Sequence, residues 1–165
     1  ENFDLGIRTG KKTDARLISR QVASRAFFTC ASPAYIEQHG KPESVAQLAH
    51  HQCLLSTAAT WRFRIDEKET EFRPMGRWHC NSGAGTLDAA LAGMGICQLS
   101  EFYVLPHLAS GNLVEIFAEC QPALEPIWAV YPQRRHLMPK VSQLVDRLCS
   151  GLPPALGYDS KGRLR

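Results

Sequence analysis

The 165-residue sequence lacks several features that mark particular classes of protein. It has no run of eighteen apolar residues, so we expect no membrane-spanning helix. Its start has neither the basic residues nor the apolar stretch of a secretory signal peptide. Lys and Arg number 19 against 16 Asp and Glu, an excess too small and too dispersed to indicate a nucleic-acid-binding surface. These absences predict a cytoplasmic protein, and the lack of an initial Met predicts a piece cut from a longer chain.

The sequence also lacks the common motifs of metal sites and enzymes. Its six cysteines include no Cys-x-x-Cys pair, and its six histidines have no spacing typical of a zinc site. It contains no Gly-x-Ser-x-Gly turn, no phosphate-binding P-loop and no Ser-x-x-Lys motif. We therefore expect no metal, no cofactor and no catalytic activity. Most cysteines lie among apolar neighbours, which predicts that all six are free thiols buried in the interior.

What remains is an ordinary globular composition, 44% hydrophobic and 21% charged. A chain of this length buries roughly 70% of its unfolded surface, which is enough for one good core or two small ones. Predicted strands alternate with predicted helices, and this alternation favours an α/β fold. The alternating pattern over residues 61–73 adds a two-stranded hairpin, with Arg62 and Arg64 on its solvent-facing side.

Several helix boundaries can be predicted from local signals. Ser32 followed by Pro33 is a typical N-cap and first helical residue, and Gly40 is a typical stop. Pro139 likewise predicts the start of the last helix, which should end within residues 151–154. Apolar residues at helical spacing predict another helix, and these residues are Leu87, Ala90, Leu91 and Met94.

The segment Cys80–Gly85, which joins a predicted strand to this helix, is the best candidate for a binding site. The first amides of a helix have no internal partners and carry partial positive charge, so they attract carboxylates and phosphates. Small residues here let an anion approach the backbone, and Asn81 and Ser82 add side-chain donors. The alternative is that Ser82 only caps the helix while the glycines close a turn.

A nucleotide-binding enzyme domain is a competing interpretation of the same segment. Gly83-x-Gly85 follows a strand, and Glu101 lies where an acid would bind a ribose. Asp88, however, occupies the position of the third glycine, where it would repel a pyrophosphate. The preceding strand also lacks the apolar run that is typical of a nucleotide-binding sheet.

Several segments, in the same order along the chain, resemble LysR-type transcriptional regulators. Phe3–Arg8 is similar to the family's Gly-Phe-Asp-Leu-Ala-Ile-Arg strand, and Cys30–Ile36 is similar to its Ala-Ser-Pro-Ala-Tyr-Leu motif. The further similar segments are 38–42, 48–54, 81–82, 89–96, 105–114, 127–132 and 139–141. Together they extend the resemblance over residues 1–152.

The resemblance implies an α/β, periplasmic-binding-protein-like fold of type 2. In this fold two subdomains flank a cleft and are joined by two crossover strands, here expected near residues 22–29 and 113–117. The first subdomain would comprise residues 1–29 and 113–152, the second residues 30–112, and residues 153–165 would form a flexible tail. Family elements that precede these residues would be absent, which would leave the first subdomain incomplete.

The resemblance also implies a function, that of the effector-sensing regulatory domain of a bacterial transcription factor. A small organic metabolite, expected to be an anion, would bind in the cleft and modulate DNA binding by a winged helix-turn-helix that lies outside this chain. The full-length protein would be a homodimer or a tetramer. The matching cleft residues are Arg8, Thr9, Asn81, Ser82, Gly83, Ala84 and Ser100. A solute-binding protein of the same fold is the main alternative function.

Overall fold

The computed structural model describes residues 3–10, 16–133 and 138–158. The chain divides into two compact units, unit 1 with Glu1–Arg25 and Leu124–Arg165, and unit 2 with Ala26–Ala123. The boundaries between the units along the chain lie at 25/26 and 123/124, whereas the prediction placed the subdomain boundaries at 29/30 and 112/113. The reason is strand pairing, because the second strand stays in the sheet of unit 1 up to Arg25, whereas the strand after residue 112 pairs within unit 2.

The secondary structure alternates between strands and helices over most of the described residues. The strands are β1 (Gly6–Thr9), β2 (Leu17–Arg25), β3 (Phe27–Ala31), β4 (Leu54–Leu55), β5 (Trp61–Ile65), β6 (Lys68–Phe72), β7 (Trp78–His79), β8 (Cys97–Ser100), β9 (Val114–Ile116) and β10 (Glu125–Pro132). The α-helices are α1 (Pro33–His39), α2 (Gly83–Leu91), α3 (Glu101–Ala109) and α4 (Pro139–Ala155), and Val45–His50 and Ala118–Cys120 form 3-10 helices.

Unit 1 is built on an antiparallel sheet in which β10 lies between β1 and β2. Alternate residues of β10 are buried, and Ala129 and Tyr131 belong to the core of the unit. Helix α4 completes this core with Val141 and Val145, which lie on one helix face at i and i+4. The unit therefore has its own apolar core between one sheet and one helix.

Unit 2 contains a second antiparallel sheet, in which β3 lies between β8 and β9. Beside this sheet, β4 pairs in parallel with β7, and β5 pairs with β6 as the predicted hairpin. Asp66 and Glu67 form its turn with positive φ angles of 49° and 61°. The core of the unit includes Tyr35, Leu48 and Trp61, which are each at most 2% exposed.

Local signals predicted three helix boundaries correctly. The Ser32 hydroxyl accepts a hydrogen bond from the Tyr35 N–H at 3.2 Å, and Pro33 is the first residue of α1. Gly40 ends that helix with a φ of 80°, a left-handed value that favours glycine. Pro139 begins α4. These boundaries depend on residues next to each other in the chain, so they can be predicted from the sequence alone.

Two other helix predictions were wrong. Helix α4 does not end at residues 151–154 but continues through Pro153 and Pro154 to Ala155. A proline cannot donate a backbone hydrogen bond, but the carbonyls of Leu152 and Pro153 still accept from the Leu156 N–H, at 3.0 and 3.1 Å, and this closes the last turn. The predicted tail therefore begins as helix, and residues 159–165 lie outside the described part.

Met94 is not on the apolar face of α2. The helix ends at Leu91, the chain turns at Gly93 with a φ of 77°, and Met94 is 46% exposed. The apolar residues keep their helical spacing as far as Met94, although the helix ends at Leu91 and the chain turns at Gly93.

All six cysteines are free, as predicted. Burial was predicted correctly for Cys30, Cys53 and Cys97, whereas the other three, Cys80, Cys120 and Cys149, are only half-buried. The Cys30 and Cys97 sulfurs lie 3.5 Å apart on neighbouring strands. Their hydrogen bond, followed by burial, raises the pKa of Cys30 well above its ordinary value, which keeps this thiol protonated and poorly nucleophilic. Burial also raises the pKa of Cys53, to about 11.

Candidate ligand-binding site

The predicted site residues lie in both units. Arg8 and Thr9 are on β1 in unit 1, whereas the segment Asn81–Ala84 and Ser100 are in unit 2. Within unit 2, Ser82 precedes α2 and Ser100 precedes α3, so both are N-cap residues of helices. That the residues of the two units converge on one ligand stays a prediction.

The start of α2 is an exposed helix N-terminus. Ser82 caps it, because its hydroxyl accepts a hydrogen bond from the Gly85 N–H at 3.3 Å and its carbonyl accepts one from the Thr86 N–H at 3.0 Å. This cap leaves the N–H groups of Gly83 and Ala84 as the remaining donors of the first turn. The first turn contains no acidic side chain, so the positive end of the helix dipole is not neutralised there.

Gly83 lies in close contact with Tyr103. A Cβ atom on residue 83 would lie 2.5 Å from Cε2 of the Tyr103 ring and 2.8 Å from its hydroxyl oxygen. The ring of Tyr103 therefore lies against the first residue of α2, and a side chain at residue 83 would force the ring to shift. No sequence pattern predicts this pair, because the two residues lie on different helices and meet only in the folded unit.

Ser100 is almost completely buried, with 3% of its surface exposed. Although it precedes α3, its side chain does not cap that helix, and no hydrogen bond of its hydroxyl is found within residues 3–10, 16–133 and 138–158. Ser100 Oγ is not among the buried side-chain atoms without a partner in the described residues, which are the indole nitrogens of Trp61 and Trp78, so its contact with a ligand stays a prediction.

Glu101 follows Ser100 and has a structural role in the described residues. It is fully buried, and its carboxylate accepts a hydrogen bond from the Ala26 N–H at 3.0 Å. Its own N–H donates to the Ala26 carbonyl at 3.2 Å. Glu101 thus holds the first residue of unit 2. A buried carboxylate fixed to the backbone does not suit the ribose contact that the nucleotide-binding alternative assigned to it.

Thr9 and Arg8 differ in their surroundings in unit 1. The Thr9 hydroxyl accepts a hydrogen bond from Arg25 Nη2 at 3.3 Å, and Arg25 is held in turn by a 2.5 Å ion pair with Glu125. Arg8 is exposed and lines a surface cavity with a volume of about 410 Å3, together with apolar residues such as Leu5 and Val130. Arg8 and Thr9 are both exposed in unit 1.

The histidines do not form a metal site in the described residues, which contain no group of three or more His, Cys, Asp or Glu side chains placed to hold a metal ion. Two histidines instead surround Tyr35. His39 stacks on its ring with 4.4 Å between the ring centroids, and His51 Nδ1 lies 3.1 Å from its hydroxyl. Burial, followed by the charges of His39 and His50, lowers the pKa of His51.

No helix among the described residues is both long enough and apolar enough to cross a membrane.

Comparison with known proteins decides the classification. The model of the LysR substrate binding domain matches residues 1–152. The chain belongs to this family. The LysR substrate-binding domain defined in this way covers all of the predicted site residues, and its mixed α/β elements agree with the predicted periplasmic-binding-protein-like fold of type 2.

Curated relatives of this LysR domain are transcriptional regulators rather than enzymes. The HTH-type transcriptional activator TtdR of Escherichia coli (strain K12) is 30% identical over 167 residues, which cover 98% of this chain and 54% of the relative. The HTH-type transcriptional regulator DmlR of the same organism is 34% identical over 154 residues, which cover 90% of this chain and 50% of the relative. The LysR domain thus spans about half the length of the curated relatives it matches. The prediction that this chain is a domain of the LysR-type transcriptional regulators is confirmed.

Solved LysR regulatory domains confirm the fold. The CrgA regulatory domain from Neisseria meningitidis is 30% identical, with a TM-score of 0.74 over 88% of this chain and 74% of that one. The full-length virulence activator AphB from Vibrio cholerae has a TM-score of 0.77 over 88% of this chain and 51% of that one. AphB is only 23% identical, so this second likeness concerns the fold alone.

Proposed function

We propose that this LysR domain senses a small organic anion for a bacterial transcription regulator. The observation that carries the proposal is the exposed start of α2, where the first-turn amides of Gly83 and Ala84 are available and no acidic side chain competes. A carboxylate placed there would gain two charge-assisted hydrogen bonds and a favourable interaction with the helix dipole.

Arg8 and Thr9 of unit 1 would contact the other side of the same ligand. An effector held by both units would favour one arrangement of the units over another, because it binds the arrangements with different affinity. That preference would be transmitted to a DNA-binding part outside this chain, in a homodimer or tetramer of the whole protein. Coupling of this kind needs no catalytic residue.

A titration of the chain with small mono- and dicarboxylic acids, followed through the backbone amide resonances in NMR, tests the proposal. We expect at least one acid to shift the Gly83 and Ala84 amides in a saturable way. Ala84→Pro removes one of these donors at a helix position that tolerates proline, so the dissociation constant should rise about tenfold or more.

The matched control is Ala34→Pro, which makes the same change at the same position of α1, two residues after its N-cap Ser32. This variant should bind the acid as the unsubstituted chain does. The proposal fails if no acid binds, or if an acid binds without affecting the amides at the start of α2.

A further inference from the structure

Two buried cysteines face each other on neighbouring strands of unit 2. Cys30 on β3 and Cys97 on β8 are direct partners in the antiparallel pairing, and their sulfur atoms lie 3.5 Å apart. Both residues are completely buried. Within residues 3–10, 16–133 and 138–158, no other two cysteine sulfurs share a hydrogen bond. This pair is therefore the one place in the described chain where two thiols are already in contact.

The strand pairing around the two thiols suits a disulfide bond. Directly opposed residues of an antiparallel pair have Cα atoms about 4.5 or 5.5 Å apart, and disulfides bridge Cα separations of about 4.4–6.8 Å. To form the bond, the two sulfurs must come about 1.5 Å closer to each other. Strand β3 lies between β8 and β9, so its position is fixed from both sides. The backbone can thus accept the bond without moving.

We infer that Cys30 and Cys97 are a redox-active pair, which a small disulfide such as oxidised glutathione converts into a cross-strand disulfide. One cysteine thiolate attacks the small disulfide, forms a mixed disulfide and releases the first small thiol. The other cysteine thiolate then attacks the protein sulfur of the mixed disulfide, and the second small thiol leaves. Two cysteine thiols are oxidised, one small disulfide is reduced to two thiols, and the two protons pass from the cysteines to the released thiols.

The surroundings of the pair favour the disulfide over a thiolate. Cys30 is paired on its other side with Glu115 of β9, and burial next to a carboxylate opposes a negatively charged sulfur. A disulfide carries no charge, so the same surroundings do not oppose it. A completely buried, protonated thiol does not attack, and the exchange therefore starts from molecules in which β3 and β8 have opened. We expect the bond to form slowly and to be stable once formed.

The bond would make the stability of unit 2 depend on the redox state of the surrounding thiols. It would close the loop between Cys30 and Cys97 in the unfolded chain, and restricting the unfolded chain in this way stabilises the fold. Folding and disulfide formation then favour each other by the same factor, because the coupling between them is reciprocal. Neither cysteine is among the predicted effector-binding residues, so this inference does not depend on the proposed function.

The test equilibrates the unsubstituted chain in mixtures of reduced and oxidised glutathione, in native buffer and in urea. The native samples first pass through urea, which lets the buried thiols exchange. Remaining thiols are blocked with iodoacetamide, and mass spectrometry of the peptides identifies the linked cysteines. In native buffer we expect Cys30–Cys97 to be the predominant disulfide within the chain. Its half-formation should require about tenfold or more less oxidised glutathione than in urea.

Cys97→Ala and Cys53→Ala are matched variants, because both cysteines are completely buried and each change removes one thiol. Cys53→Ala should still form the Cys30–Cys97 bond, whereas Cys97→Ala cannot form it. Oxidation should raise the thermal unfolding midpoint of the unsubstituted chain and of Cys53→Ala by about 4 °C or more. The midpoint of Cys97→Ala should not rise.

Three results would overturn the inference. They are the absence of a Cys30–Cys97 peptide in native buffer, an equal requirement for oxidised glutathione in native buffer and in urea, and a lower unfolding midpoint for the oxidised chain. All three are measured on the unsubstituted chain, so they decide the question even if a variant does not fold. None of them bears on the binding of an acid at the start of α2, which is tested separately.

Discussion

Tyr35 shows how single residues of unit 2 depend on groups that are distant along the chain. Its hydroxyl accepts a hydrogen bond from the Gln52 N–H at 3.0 Å and lies 3.1 Å from His51 Nδ1, to which it donates when His51 is neutral. Protonated His51 would carry a hydrogen on Nδ1 and could no longer accept this bond. The geometry therefore agrees with the lowered pKa of His51.

The lowered pKa of His51 predicts a loss of stability in weak acid. Between the ordinary histidine pKa of about 6.5 and the lower value in the folded state, the unfolded chain binds a proton that the folded chain does not bind. The free energy of unfolding should therefore be fully maintained above about pH 6.5 and fall as the pH drops below it. Burial, the largest cause of the shift, is only partial, so we expect a modest effect.

Urea unfolding at a series of pH values from neutral to weakly acidic measures this dependence. In His51→Asn the amide oxygen can still accept from the Tyr35 hydroxyl but does not titrate, so the decline should be smaller than in the unsubstituted chain. An equally steep decline in the variant would contradict the prediction.

Among the secondary-structure elements, the hairpin β5–β6 depends on a contact outside its own strands. The two strands pair with each other, and β5 is joined to β8 through the Gln98 side chain rather than through strand pairing. One amide side chain thus replaces the two backbone hydrogen bonds that a neighbouring strand would provide. The alternating apolar pattern predicted the hairpin but not this attachment.

Gln98→Leu should destabilise the chain by ~2–4 kcal/mol, because it leaves the N–H and carbonyl of Arg62 and the hydroxyl of Thr29 without their partner. Urea unfolding monitored by fluorescence gives the change in the free energy of unfolding. Gln38→Leu makes the same substitution at an exposed position of α1 and should change stability by no more than about 0.5 kcal/mol. Similar losses in both variants would show that the Gln98 hydrogen bonds contribute little.

At the scale of the whole molecule, each unit has an apolar core among the described residues, and these two cores share no residue. One lies in unit 1 and includes Val145 of α4, and the other lies in unit 2 and includes Leu48. Composition and length had allowed one core or two. The division follows from the chain path, since β10 returns to pair with β1 and β2 after all of unit 2 has been formed from Ala26–Ala123.

Leu48→Ala should destabilise unit 2 by ~2–5 kcal/mol, because Leu48 is fully buried and its removal leaves a cavity. Since the cores share no residue, hydrogen exchange should accelerate in the strands of unit 2 more than in β2 and β10 of unit 1. Leu144→Ala removes the same atoms from a residue of α4 that is 47% exposed and should have little effect. A uniform acceleration over both units would contradict the prediction and show a single cooperative molecule.

The sequence by itself determined the features that depend on neighbouring residues or on the order of motifs. The caps of α1, the hairpin, the free cysteines and the LysR family could all be predicted, because capping, alternation and motif order are local properties of a chain. Only the tertiary structure decided the limits of the two units, the contact of Tyr103 with Gly83 and the attachment of the hairpin through Gln98. These features depend on strand pairing and on packing between segments that are distant along the chain. No periodic pattern in the sequence predicts such contacts.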